Sequence, residues 1–280
     1  MAEKLVQVEG DKLLLFGGVY SNYQALKSLK KYADEYGFSS KEIICTGDVV
    51  AYCAEPKESV KLIKEWGIHC ISGNVEIQLR NGDDDCGCNF NDDSSCDLLS
   101  KQWYPFAQKS LEKEHLNWMQ LLPESLVVEF GGKRWGIVHG SYQETAEFIY
   151  KSSPWSQKIQ SFEAMNVDHI LAGHSGIPFI DQQNGKAWIN SGALGMPAND
   201  GTSRVWFCTI KRQVDGFLVE FNSLNYAIEV AQKKMIDSQL PIVYSDTLQS
   251  GLWHSTEVLR PEEVYLTGKA IELDTCFVSR

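Results

Sequence analysis

Clustered positive charge is what this chain most conspicuously lacks. Across 280 residues, 26 Lys and Arg stand against 37 Asp and Glu, a net charge of −11, and no basic run occurs. A nucleic-acid backbone and an anionic membrane both reward clustered cations, so neither is expected as the main partner. A local basic pocket for a phosphate stays compatible with this balance. No stretch reaches the length of a membrane span. The opening residues carry Glu3, Glu9 and Asp11 and no apolar core of the signal-peptide kind. The expectation is a cytoplasmic protein. Its eight cysteines are then reduced thiols, with Cys45, Cys70 and Cys208 set in apolar runs as small buried hydrophobes. Internal repeats and linkers of disordered composition are also missing. One domain over 1–280 is therefore expected, with an Asp/Cys-rich insertion at 81–100 and a C-terminal extension at 238–280.

What is present is a rhythm of short strands and amphipathic helices. Leu13–Phe16 closes on two glycines, and Tyr23–Tyr36 then shows apolar residues at helical spacing. Ile43–Cys45 ends at Gly47-Asp48, a helix follows from Pro56, and Ile68–Ile71 ends at Gly73-Asn74. Helical spacing resumes over Leu111–Leu122. Leu126–Phe130 and Trp135–Val138 flank a glycine pair, the signal of a hairpin. A helix over Pro154–Asn166 leads into a strand at His169–Ala172. Short strands then dominate, at Phe179–Asp181, Ala187–Ile189, Val205–Ile210 and Phe217–Phe221, before a helix over Tyr226–Ile236. This order predicts an α/β fold with a parallel or mixed sheet.

The strand ends carry the chemistry. Gly47-Asp48, Gly73-Asn74, Val138-His139 and Gly173-His174 each place an N or O donor just past a strand. Ligands of α/β sheets gather at the carboxyl ends of strands, and glycine there lets the chain turn sharply. Any one of the four reads equally as a turn or a capped polar residue. Together, Asp48, Asn74, His139 and His174 make the donor set of one metal centre.

These stretches resemble the calcineurin-like metallophosphoesterases, in particular the bacterial phosphodiesterase and diadenosine-tetraphosphatase-like branch. The likeness runs from Leu13 to Lys211. It rests on Gly18-Val19-Tyr20-Ser21-Asn22, Gly47-Asp48, Gly73-Asn74-Val75-Glu76, His139-Gly140, Gly173-His174-Ser175-Gly176-Ile177-Pro178 and the turn Asn190-Ser191-Gly192. The resemblance implies two packed mixed β-sheets flanked by helices, and chemistry on phosphate esters between two metals. It also implies a divergence. The first metal's family ligands fall at Gly18, Tyr20, Asp48 and Gly176, of which only the bridging Asp48 survives. The second metal's ligands are all present, and the family's leaving-group acid falls at Val75.

The expectation is a hydrolase acting on a phosphate ester or related small anionic substrate through one divalent transition metal (Zn, Fe or Mn). Tyr20 is expected as a hydrogen-bond donor to the ligand or a packing residue, and Glu76 as a base or a partner behind the metal ligands. Asn22 and Arg204 are expected as substrate contacts, with a solvated or structural role the other reading of Arg204. The alternative is a catalytically weak homologue that binds a ligand or a metal. The antiparallel strands and tail after Arg204 offer a surface for a homodimer.

Asp83-Asp84-Asp85-Cys86-Gly87-Cys88, with Cys96 further on, invites another reading. Cys86, Cys88 and Cys96 are expected as a second, thiophilic metal site or a redox site over the cavity mouth, or else as part of a plain polar loop. The acidic triplet is no EF-hand, since no Glu stands at the twelfth position.

Overall fold

The computed structural model describes residues 5–88 and 94–279. In chain order the described strands are β1 (Leu5–Val8), β2 (Lys12–Phe16), β3 (Ile43–Cys45), β4 (His69–Cys70), β5 (Leu126–Phe130), β6 (Lys133–Ile137), β7 (His169–Ala172), β8 (Pro178–Gln183), β9 (Lys186–Ser191), β10 (Val205–Arg212), β11 (Gly216–Leu224) and β12 (Cys276–Ser279). The helices are α1 (Tyr23–Glu35), α2 (Pro56–Trp66), α3 (Asn74–Asn81), α4 (Ser95–Ser110), α5 (Lys113–Met119), α6 (Trp155–Met165), α7 (Ile228–Asp237), α8 (Ile242–Ser250) and α9 (Pro261–Tyr265).

The strands form two mixed six-stranded sheets, in the orders β1-β5-β6-β7-β9-β8 and β12-β11-β10-β2-β3-β4. Side chains alternate across a strand, and that alternation builds the layers. Leu13 and Leu15 of β2 join Val128, Ile137, Leu171 and Ile189 of the other sheet in a core between the sheets. Leu14 and Phe16 point the opposite way, onto Leu26 and Leu29 of α1 and Val60 and Ile63 of α2. The far face of the first sheet packs Ile170 and Trp188 on Phe162 and Met165 of α6. Two sheets between helical layers result, the arrangement implied by the sequence motifs.

Local chemistry explains the boundaries. Asn22 caps α1 by accepting the Ala25 N–H (3.1 Å). Pro56 opens α2, and Gly67 in the left-handed region closes it. The β5–β6 hairpin turns on Gly131 and Gly132, with Phe130 opposite Lys133; both glycines have positive φ, as a two-residue hairpin turn requires.

Three segments depart from the sequence expectation. The strand before Asn74 is only two residues long, and Asn74 itself begins a helix. The 81–100 stretch is no simple loop. Although 89–93 lie outside the described residues, Ser94 caps α4 through the Asp97 N–H (3.2 Å), and the helix runs on to Ser110. The tail forms α8 and α9, then strand β12, which lies antiparallel on β11. The tail therefore covers that edge of the sheet, part of the surface expected to pair two subunits. Among the described residues, no helix is long and apolar enough to cross a membrane.

Candidate metal centre

Asp48, Asn74, His139 and His174 follow β3, β4, β6 and β7, so donors from both sheets meet at one end of the sandwich. The Gly47 backbone lies against Gly73, where an added Cβ would come within 2.4 Å of the Gly73 nitrogen. A Cβ on Gly73 would in turn come within 2.1 Å of Asp48 Oδ1. These two glycines let the β3 and β4 ends touch. Asp48 and His174 are themselves in the left-handed region, at φ 50° and 58°. For non-glycine residues this costs about 1 kcal/mol each, and such strain collects at functional sites.

His139 Nδ1 lies 2.6 Å from the Thr46 carbonyl. A carbonyl only accepts, so the proton sits on Nδ1 and Nε2 presents a lone pair to the site. That Nε2 is 3.2 Å from Asp48 Oδ2 and 3.2 Å from His174 Nδ1. One donor atom from each residue lies within 4.8 Å of the other two, and Asp48/His139/His174 is the only such cluster among the described residues. Ligands at 2.0–2.1 Å from a tetrahedral ion sit about 3.3 Å apart, so the observed spacing suits one.

Electrostatics agrees. Burial raises Asp48, yet the His139 charge and hydrogen bond outweigh it and hold the carboxyl below its ordinary range. Burial lowers His139, but Asp48 wins and raises it. Burial and then the His139 charge push His174 down to about 3, leaving it neutral. The buried Asp48 carboxylate and the His139 ring thus each favour a positive charge at Nε2's side of the site. A bound cation supplies that charge.

Asn74, the fourth expected donor, stands between Gly73 and Val75, whose backbones both approach Asp48 Oδ1. Its Nδ2 donates to the Cys86 carbonyl (2.8 Å) and to Cys88 Sγ (3.2 Å), which fixes the amide orientation. Its Oδ1 is then buried with no partner. An unpaired buried acceptor costs about 1–3 kcal/mol. An oxygen donor to a cation removes that penalty, so the residues present fit a divalent metal.

The other expected residues fall in different places. Glu76 is fully buried, and its carboxylate accepts the backbone N–H groups of Asp48 (2.8 Å), Gly73 (2.9 Å) and Val50 (3.1 Å). Burial and then Asp48 push it up to about 7, against the pull of Gly73 and Val50. It does not line the cavity beside Asp48; it braces the loop that carries Asp48, so of its two expected roles it takes that of a partner behind Asp48 and not that of a base. Asn22 is also corrected. It is fully buried, caps α1 and donates to the Gly195 carbonyl (2.9 Å), so it cannot meet a ligand. Arg204 is held by Asp200 (2.8 Å), Thr202 (2.9 Å) and the Ile271 carbonyl (3.1 Å), and is absent from the cavity wall. Tyr20 does line the cavity with Asp48 and His174. Cys86 and Cys88 are buried with their sulfurs 2.7 Å apart, and Cys88 reaches the cavity wall. Cys96 also reaches the wall, but the three thiols make no converging donor cluster among the described residues. The expected three-cysteine metal site is not formed there.

Sequence reasoning missed the rest of that wall. Tyr52, Phe148, Tyr244 and Trp253 close around the donors. Two of these come from the C-terminal extension, where no local pattern announces them.

The architecture and donor set define a metallophosphoesterase-type protein. Residues 12–213 match the calcineurin-like phosphoesterase superfamily domain, and the chain belongs to that family. Its members are usually phosphoesterase hydrolases that bind divalent metals. The chain is 24% identical over 247 residues to an uncharacterized protein of Methanocaldococcus jannaschii, covering 82% of this chain and 93% of that one. Its fold is similar to a metallophosphoesterase from Sphaerobacter thermophilus (TM-score 0.68, 21% identity, 87% of this chain and 100% of the other). It is also similar to a hypothetical protein from Pyrococcus horikoshii (TM-score 0.71, 17% identity, 86% and 99%).

Proposed function

We propose that the chain is a metal-dependent phosphoesterase-type hydrolase that works with a single divalent transition ion, Zn, Fe or Mn, held by Asp48, Asn74, His139 and His174. The observation that carries this reading is the convergence of donor atoms from Asp48, His139 and His174, supported by an Asn74 Oδ1 that is buried without a partner. When bound, the ion supplies Lewis acidity toward a phosphoryl oxygen.

The chain's own groups set the rest. Thr46 holds the His139 tautomer, and Glu76 holds the Asp48 loop. Burial raises the Tyr20 phenol well above its ordinary range, so it stays protonated as a donor next to Asp48. Val75, at the position of the family's acid, is buried and apolar and cannot protonate a departing alkoxide. Esters with acidic leaving groups are therefore the expected substrates. The same absence favours, as a second reading, a protein that captures its ligand with little turnover.

The test is metal content by elemental analysis, together with hydrolysis of bis(4-nitrophenyl) phosphate. One ion per chain, lost with activity in His139→Ala and His174→Ala, is the expected result. Metal-independent turnover, or a protein that takes up no ion, overturns the reading. One ion without turnover favours ligand capture.

A further inference from the structure

The positions at which family likeness places a first metal's ligands hold glycine at Gly18 and Gly176, and both are covered by aromatic rings. A Cβ on Gly18 would come within 2.7 Å of Tyr20 Cζ and 2.9 Å of its hydroxyl, so the Tyr20 ring lies directly over it. A Cβ on Gly176 would touch the Trp253 indole at 3.4 Å, ordinary van der Waals contact, so the indole lies against this position. The space is thus rebuilt as a wall and not left vacant.

That wall is rigid. Trp253 Nε1 donates to the Pro197 carbonyl (2.7 Å), and its backbone N–H donates to Asn199 Oδ1 (2.8 Å). Tyr20 meets Tyr52 edge-on at 4.9 Å, and Tyr52 contacts Tyr244 at 4.7 Å. The cavity, partly open to solvent, is about 110 Å³. An engineered apolar cavity of about 150 Å³ takes benzene, so the walled part of this one matches a single ring in size.

Charge narrows the occupant further. No Lys or Arg lines the cavity among the described residues; its ionisable groups, beside tyrosines and thiols, are Asp48, His174 and His254. One divalent ion against the Asp48 carboxylate leaves a single positive charge. A singly charged ligand is neutralised there, whereas a second negative charge finds no partner. A cationic group packed on the rings would face that same positive charge.

We propose that the cavity is an apolar subsite, formed by Tyr20, Tyr52, Phe148, Tyr244 and Trp253, for a ring-sized uncharged substituent on a monoanionic ligand. This rests on the metal-centre reading above. Aromatic walls bury such a ring and select against bare phosphate.

The test is calorimetric titration of Zn-loaded protein with phenylphosphinate, methylphosphinate and orthophosphate. Methylphosphinate binding that requires zinc reports the metal centre, and the phenyl-to-methyl ratio reports the subsite. Phenylphosphinate is expected to bind at least about tenfold more tightly than methylphosphinate, from burial of the ring. In Leu99→Trp, which fills the cavity from its wall, and in Trp253→Ala, which removes part of it, that ratio falls toward one. A ratio near one in the native protein, a ratio unchanged in Leu99→Trp, or orthophosphate as the tightest ligand overturns the proposal. A tenfold ratio with no ester hydrolysed upholds the subsite while sinking the hydrolase reading.

Discussion

Replacing Asn74 with Leu separates a metal ligand from a packing strut. The two side chains have the same branched shape, so the change mainly removes polarity. In the metal-free protein, the orphaned Oδ1 disappears, a gain of about 1–3 kcal/mol. Against this stands the loss of the Nδ2 bonds to the Cys86 carbonyl and Cys88 Sγ, which leaves the buried carbonyl without that donor at a similar cost of about 1–3 kcal/mol. The two terms offset, so the metal-free variant should stay within about 1 kcal/mol of the native chain. In domains of about this size, that is a Tm change of no more than about 2–4 °C. With the ion the two proteins separate. A native centre at a free metal concentration of about a thousand times Kd gains about 4 kcal/mol, and the variant, short of one donor, loses most of that. Differential scanning calorimetry with chelator and with zinc reads both effects. A variant destabilised by more than about 2 kcal/mol under chelator, yet stabilised by zinc as fully as the native chain, would refute the assignment. Asn74 would then be a strut for the Cys86–Cys88 turn.

Two further predictions follow from groups away from the ion. His169 is fully buried, with both ring nitrogens unpartnered and Trp135 packed against it at 4.4 Å. Burial first, with Lys133 and Lys186 assisting and Asp168 opposing, pushes it down to about 4. The unfolded chain takes up this proton near pH 6.5, so the neutral ring's contribution is fully present above that value. It is lost as pH falls from 6.5 through 4, for a total of about 3 kcal/mol. His169→Phe should flatten the fall in denaturant-measured stability between pH 7 and 4.5 relative to the native chain; parallel curves would contradict the burial argument. Asn22→Ala should cost about 2 kcal/mol of stability by denaturant unfolding, through a lost cap and an orphaned Gly195 carbonyl. A loss of ligand affinity without that destabilisation would restore Asn22 as a ligand contact.

The cluster of Asp48, His139 and His174 was legible because each follows a strand whose end must turn, and glycine marks such turns. These candidates, with Asn74, could be read off in order without knowing how the strands pair. Glu76 was left with two readings because proximity in sequence says nothing of direction. The missed clue was its place at the third position of a helix, where Glu turns back onto the backbone N–H groups of the first turn. Asn22 carried a similar clue, standing just ahead of a helical pattern where capping is the commoner role. Helix α4 was hidden by an Asp-, Ser- and Cys-rich approach whose one structural cue, Ser94 with Asp97 three residues on, is weak alone. The aromatic wall was illegible for a different reason. Tyr20 and Trp253 are 233 positions apart, and only the long-range path of the tail brings them together.

The family match ends at residue 213, whereas Tyr244 and Trp253 lie beyond it. The aromatic wall thus straddles that boundary, with Tyr20, Tyr52 and Phe148 inside the match and Tyr244 and Trp253 outside it. On the proposed reading, a substitution at Tyr244 or Trp253 changes what the cavity accepts without touching Asp48, His139 or His174, so the family's motifs do not by themselves describe this cavity.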